Sequence, residues 1–455
     1  MITESPDFVE LTQQKYMRYY ESTSLFDVGL QISTEHINLV AMIDPQQDVY
    51  TYFTETQWTN IPYVGNSFYA IADMNWTKLG FIEFDYGNFY TSIGRRALKW
   101  GPASYDFAIN DSAPFLDSIY ADVKFPFSFG TFWYNYIVTG FNNTALGYPE
   151  NHGSAEDQAS VALNTKTLFS HKFGYENDSW RVTFSELNLI YNKIPSLLDA
   201  SPLAFWHNNY QHDRSNVMIE LTVEKLFDLT PMDFRIFGIF AMDDFAFGGE
   251  SKTEKPNAMG FNLGIEFHFL DGRKQQTAIT TRQDYTLYED SFKFSGGLNV
   301  SLEWFWATAF LYNRDNDSGK FTVPLWMYNF KDGGYFVDKN AFFIGFPYGP
   351  DTMVAKLGIS WEDDPWKAYC DFELIFKGEY RISEEYSSAN NSKFESYSLN
   401  GDVATIINTD FGLSYALFEG LLIDGNMGIY ADLKNGKTAC EFTIGCAVDP
   451  WALAK

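Results

Sequence analysis

The sequence is poor in basic residues, histidine and cysteine, and it has no long apolar run. Lys and Arg number 32 against 59 Asp and Glu, a formal net charge of −27. A nucleic-acid surface needs clustered cations to meet phosphate, so nucleic acid is excluded as a partner. The acidity suits a chain that must stay soluble before it inserts into a membrane. The three cysteines, Cys370, Cys440 and Cys446, share no CxxC spacing, which leaves no zinc or redox motif. No stretch of about 18 apolar residues is present, so no transmembrane helix is expected. Met1-Ile2-Thr3-Glu4 has neither the basic nor the apolar part of a leader, and the chain is expected to be a mature form with its signal peptide removed. The G-x-S-x-G, H-E-x-x-H and phosphate-loop patterns are missing. Of the six histidines, only His171 and His268 lie near strand-like segments, and neither has an evident serine partner. The expectation is a protein that is not an enzyme, with no cofactor and no metal site.

What is abundant is aromatic. Phe, Tyr and Trp make up 18% of the 455 residues, yet the mean hydropathy is slightly polar at −0.23. An outer-membrane barrel needs this combination, because one face of each strand meets lipid and the other meets water or a polar lumen. Period-two alternation supports it. From Lys367 to Tyr380, Ala368, Cys370, Phe372, Leu374 and Phe376 oppose Lys367, Tyr369, Asp371, Glu373 and Lys377. Segments 216–224, 258–270, 404–418, 421–433 and 437–448 alternate in the same way. In the last of these Cys440 and Cys446 fall on the apolar face, as small lipid-facing hydrophobes. Asn435-Gly436 has two-residue hairpin chemistry, with both positions at positive φ, and Glu419-Gly420 is a further turn.

If the last strand ends in the periplasm, alternation assigns each connection to a side. Short ones fall near 87, 126–127, 176–179, 226–232, 271–274, 314–319, 362–366 and 419–420. Long ones near 96–117, 140–164, 192–214, 245–257, 331–352 and 381–403 fall opposite. That sorting is a barrel signature. It requires Lys320–Phe330 to be a wall strand despite Pro324. The fold expected is all-β: a transmembrane antiparallel outer-membrane barrel of about 18 strands over residues 67–455. Residues 1–66 form an N-terminal segment, partly helical at Asp7–Tyr20, and either a periplasmic or luminal plug or extra strands.

Candidate binding residues cluster in a few places. Arg95, Arg96 and Trp100 stand in the run Arg95-Arg96-Ala97-Leu98-Lys99-Trp100-Gly101-Pro102. Trp stacks on sugar rings and Arg holds carboxylates in bidentate fashion; the alternative is luminal ion pairing and a turn. His207 and Asn208 open a polar segment ending in Asp213 that is either a ligand or metal loop or a solvated outer loop. Asp243-Asp244 offers oxygen ligands or an ordinary turn. Glu266 and Arg282 belong to a charged luminal set with Glu220, Glu224, Arg235, Lys356 and Glu373. That set is either a path for cations and polar solutes or a network of cross-strand ion pairs.

Ser92-Ile93-Gly94-Arg95 followed by Trp100-Gly101-Pro102 resembles the "GR…WGPG" element of the capsule-assembly outer-membrane proteins of the Wzi type, with Ala103 in place of the last glycine. Segments Ile190-Tyr191, Lys255-Pro256-Asn257-Ala258-Met259-Gly260 and Tyr348-Gly349-Pro350-Asp351 resemble distant members in the same order. The resemblance implies an 18-stranded barrel with a small helical part that retains capsular polysaccharide as a surface lectin. The function expected is therefore a non-enzymatic barrel handling surface polysaccharide, in contact with outer-membrane lipid, its long loops outside the cell. The alternative is a porin for small polar or cationic solutes.

Overall fold

The computed structural model describes residues 27–43, 56–58, 63–64, 67–68, 79–141, 165–206, 214–229, 232–246, 251–270, 285–289, 292, 294, 296–331 and 334–449. Among them, seventeen strands form one antiparallel wall. The first four are β1 Val28–Ser33, β2 Ile37–Ile43, β3 Leu79–Asp85 and β4 Phe89–Arg96. Next come β5 Leu116–Phe127, β6 Gly130–Phe141, β7 Lys166–Glu176 and β8 Trp180–Tyr191. The centre is β9 Ser215–Leu229, β10 Met232–Asp244, β11 Ala258–Phe269 and β12 Gly297–Ala307. The last five are β13 Thr352–Asp363, β14 Trp366–Lys377, β15 Ala404–Phe418, β16 Leu421–Asp432 and β17 Lys437–Val448. Each pairs antiparallel with its successor, as in Arg96↔Leu116, Ala307↔Thr352 and Asp432↔Lys437. The meander wraps around a shared interior, and the result is an outer-membrane-type β-barrel. No helix among the described residues is long and apolar enough to cross a membrane.

Alternation decides the two faces. On β17, Phe442 and Ile444 point outward, 66% and 70% exposed, and Cys440 and Cys446 share their side. On β14, Glu373, Ile375 and Lys377 point inward and are buried, while Phe372 faces out. The outer face is an apolar belt that lipid can cover without leaving polar groups unsolvated.

With two exceptions, the 270–296 link and the 433–436 turn, the connections sort by length. At one end lie the turns 34–36, 86–88, 128–129, 177–179, 364–365 and 419–420, and Leu229 pairs with Met232 there. At the other lie 97–115, 192–214, 245–257, 308–351 and 378–403. Three expectations are corrected. Thr322–Lys331 is a strand, but it pairs with Gly334–Phe343 and with Thr56–Trp58, outside the wall. Pro324 has no N–H to give a central ladder, and β12 pairs directly with β13 instead. Residues 314–319 therefore belong to one long connection at the long-loop end. In place of a short turn near 271–274, the link from β11 to β12 runs over 270–296, and its Leu287–Tyr288 pairs in parallel with Leu98–Lys99. The Asn435-Gly436 turn spans four residues, 433–436, with only Gly436 at positive φ. The Asp432 carboxylate accepts the Lys434 and Asn435 N–H groups, at 2.9 and 3.1 Å, and so directs the longer turn.

Candidate binding site at the barrel mouth

The chain leaves β4 and turns into the lumen at the Gly-Arg…Trp-Gly-Pro segment. Gly94 has φ +134, and a Cβ there would meet Gly80 O at 2.3 Å. Gly101 has φ +68, and a Cβ would meet Asp106 Oδ2 at 2.6 Å. Only glycine fits either place. Trp100, Phe107 and Ile109 then pack with Leu311, Phe321 and Phe346 of the 308–351 connection. Inward side chains from many wall strands join the same cluster, among them Ile137, Met218, Ile239, Phe305 and Ile375. The lumen near the long loops is thus filled by an apolar plug.

Wall carboxylates hold the plug by its backbone. Glu303 accepts the Ser104 N–H at 2.9 Å, and Glu220 accepts the Ala108 N–H at 3.1 Å. Glu224 accepts the Phe292 N–H at 3.1 Å. Tyr312 OH donates to Phe107 O, and Arg235 donates to Pro102 O. Buried irregular backbone needs such partners, since each unpaired group costs about 1–3 kcal/mol. Beneath the plug lies a charged layer. Glu289 pairs with Lys172 and with Arg181, the latter at 2.9 Å, and Arg235 pairs with Glu224 at 3.0 Å and with Glu266. Burial opposes the charge on Glu289, but Lys172 and Arg181 outweigh it and hold its carboxyl below the ordinary range. Asp106 is different. Burial raises its carboxyl above the ordinary range, against Lys172 and the Ile109 and Ala108 N–H groups.

Above the plug is a cavity of about 670 Å³ lined by Tyr191, Glu254, Lys255, Arg314, Asp315, Tyr386, Ser387 and Ser388. Three connections, 245–257, 308–351 and 378–403, supply these residues, with Tyr191 from the end of β8. Asp244, at the long-loop end of β10, accepts Arg314 Nη1 at 2.9 Å and the Tyr386 hydroxyl at 3.3 Å. Asp243 accepts the Tyr312 N–H at 2.9 Å. Burial disfavours the Arg314 charge, but Asp244 and Asp243 more than offset it and raise its pKa, so the cation is fixed at the mouth. The loop carrying Tyr386 is itself stapled: Asp351 accepts the Tyr380 N–H at 2.9 Å, and Asn313 Nδ2 donates to Tyr380 OH at 2.6 Å. Two phenol rings, two cations, two carboxylates and two serine hydroxyls thus converge on one held cavity. Among the described residues no group of three or more His, Cys, Asp or Glu side chains is placed to hold a metal.

The residues singled out from the sequence separate. Arg95 faces outward, where Nε and Nη2 both meet Asp117 at 2.6 Å. Arg96 faces inward to Glu83 at 2.8 Å and donates to Tyr285 O. Trp100 is buried in the plug, with Lys172 Nζ 4.5 Å above its ring. Glu266 belongs to the charged layer. Asp243 and Asp244 underlie the mouth cavity. His207, Asn208 and Arg282 lie outside the described residues. Arg314 and Tyr386 did not stand out in the sequence. Arg314 sits in a stretch that falls on the short-turn side if Lys320–Phe330 is a wall strand. Tyr386 is one of 29 tyrosines, in a loop without periodicity.

Fold and mouth together define an outer-membrane β-barrel with a filled lumen. Among solved structures, this chain is similar to Wzi of Escherichia coli, an outer membrane protein involved in group 1 capsule assembly and a carbohydrate-binding β-barrel. The match covers 92% of this chain and 76% of that one at 11% identity, with a TM-score of 0.53. At that identity the likeness is one of fold, and it agrees with the family resemblance of the ordered motifs. Two Pseudomonas aeruginosa proteins also align, OccK5 (OpdH) over 92% of this chain and 91% of that one, at 8% identity and a TM-score of 0.42. The second is OccK8 (OprE), over 93% and 90%, at 8% identity and a TM-score of 0.43. No protein-family model and no curated protein sequence matches the chain.

Proposed function

We propose that the protein binds surface polysaccharide at the barrel mouth, with the long loops outside the cell. The observation that carries this reading is the cavity of about 670 Å³ bounded below by the apolar plug. Its volume suits a few sugar residues. Tyr386 offers a ring face to pyranose C–H groups, and Arg314, Lys255, Glu254, Asp315 and the serines offer partners for hydroxyls or acidic substituents. A ligand held there is retained rather than passed, because the lumen beneath is packed. The carbohydrate-binding neighbour supports the same reading.

Glycan-array screening of the detergent-solubilised protein, followed by calorimetry with the strongest ligand, tests it. Wild type should bind. Arg314→Ala and Tyr386→Ala should each weaken binding about tenfold, which is about 1.4 kcal/mol, while the folded band on an unheated gel persists. No glycan bound, or binding unchanged by both substitutions, overturns the proposal. The charged layer below the plug favours a second reading, a gated pore for small polar solutes, which requires the 97–115 segment to move.

A further inference from the structure

On the outer face of β6, β7 and β8, four polar side chains point toward the lipid side: Tyr134, Tyr136, His171 and Glu186. Their register places them within the apolar belt. Phe173, Phe184 and Leu221 share one cross-strand row, and Leu221 is 43% exposed beside it. The next row toward the long loops carries Tyr136, His171 and Glu186. Polar groups bare to hydrocarbon would cost several kcal/mol each. They are not bare, because the connection after β8 folds back over them.

The wall's polar atoms satisfy the backbone of that connection. Tyr134 OH donates to Pro202 O, and Tyr136 OH donates to Ala200 O at 2.5 Å. His171 Nδ1 lies 3.3 Å from Pro202 O, and its Nε2 lies 3.2 Å from Glu186 Oε2. Glu186 also accepts the Trp206 N–H at 2.9 Å, and the Trp206 ring stacks on His171 at 4.4 Å. Within the segment, Lys193 pairs with Asp199 at 2.6 Å, and Asp199 accepts the Ser196 N–H and hydroxyl. The Ala200, Ser201 and Ala204 N–H groups close turns on Ser196, Leu198 and Ser201. Beneath them Phe169, Ile190 and Trp206 form a dry cluster between wall and segment. The opposite side is apolar: Ile194, Leu197 and Leu203 are 70%, 92% and 74% exposed, and Leu198 and Phe205 accompany them.

We propose that Ile194–Trp206 is a strap embedded in the membrane, whose outer side meets lipid acyl chains. The Lys193–Asp199 pair and the Ser196, Asp199, Ala200, Ser201, Ala204 and Trp206 N–H groups are turned to the wall or to each other, while its leucines continue the belt formed by Phe132, Val182, Leu221 and Val223. Tyr134, Tyr136, His171 and Glu186 satisfy the Ala200 and Pro202 carbonyls and the Trp206 N–H from the wall side, as non-helical backbone at this depth requires. The strap widens the barrel on one flank by a layer of side chains, on the half of the belt next to the long loops.

Nitroxide accessibility tests the strap. Single cysteines replace Leu197 or Leu203 in a chain carrying Cys370→Ser, Cys440→Ser and Cys446→Ser, with Leu221→Cys as a wall reference and Asp315→Cys as a mouth reference. Folding is verified by heat-modifiable migration before reconstitution in phosphatidylcholine vesicles. Labels at 197 and 203 should collide with oxygen several-fold more than with a water-soluble nickel chelate, as at 221 and opposite to 315. A nickel preference overturns the proposal by placing the strap in water. Protection from both reagents, with spin–spin broadening, overturns it in favour of contact with a second copy of the chain.

Discussion

Arg95 and Arg96 are adjacent in the chain but face opposite sides of the wall, so their ion pairs carry different weight. Arg95 meets Asp117 across the outer surface, with both side chains partly exposed. A pair in that setting contributes about 0.2–1 kcal/mol. Arg96 is buried, with Glu83, Tyr285 O and the face of Phe81 around it. Its removal leaves the Glu83 charge unpaired, with only the Tyr90 hydroxyl and the Asn38 amide still donating to it, and should cost about 3 kcal/mol. Denaturant midpoints of Arg95→Ala and Arg96→Ala in micelles check this, and equal effects would refute the inward placement. Asp106 and Glu220 give a pH-dependent case. Asp106 Oδ2 and Glu220 Oε1 are buried without a hydrogen-bond partner among the described residues, and the Ala108 N–H donates to both carboxylates. One proton shared between them would satisfy both. A carboxyl with a raised folded pKa contributes its stability below the unfolded value of about 3.9 and loses it as pH rises through the folded value. Burial raises Asp106 in this way. Asp106→Asn keeps the acceptor for Ala108 and Ile109 and removes the titration. Its melting midpoint should gain on wild type as pH rises from 4 toward 8, and a pH-independent difference would sink the assignment.

The elements divide into those the sequence pattern reveals and those it conceals. Wall strands are visible because a belt in lipid and an interior of different polarity force a strict period of two; β14, with Glu373 inside and Phe372 outside, is an instance. The plug is concealed because its segments have no period. Trp100, Phe107 and Ile109 are buried by chains arriving from far along the sequence, such as Phe346. The strand Thr322–Lys331 misleads because its own residues are strand-like, and only its partner, Gly334–Phe343, reveals that it leaves the wall. Asp243-Asp244 stands out as a pair, but its meaning depends on Arg314 and Tyr386, remote in sequence. The plug is a separable element with its own test. Glu303 holds the Ser104 N–H and hydroxyl. Glu303→Ala should accelerate hydrogen exchange at the amides around Ser104 and leave those of β15 and β16 protected. Uniform loss of protection would instead make the plug inseparable from the wall.

At the scale of the whole molecule, the interior is layered, and the layers decide what crosses it. Toward the short turns the lumen is charged by Lys172, Arg181, Arg235, Glu224 and Glu266. Toward the long loops it is closed by the apolar cluster that Trp100 and Phe107 share with inward side chains of the wall. An ion entering from the short-turn side meets a favourable layer and then a dry one, where an unpaired charge costs many kcal/mol. Conductance should therefore be controlled by the plug rather than by the charges beneath it. In planar bilayers wild type should show no stable single-channel steps at moderate voltage. Replacing residues 98–113 by a short Gly-Ser linker should produce steps, and reversing Glu266 to Lys in that background should shift selectivity away from cations, since the charged layer then becomes the narrowest polar contact. Glu266→Lys alone, with the plug intact, should change nothing in the recording. Steady wild-type channels whose selectivity responds to Glu266→Lys would mean that the packed cluster does not seal the barrel, and would favour passage through it over retention at the mouth.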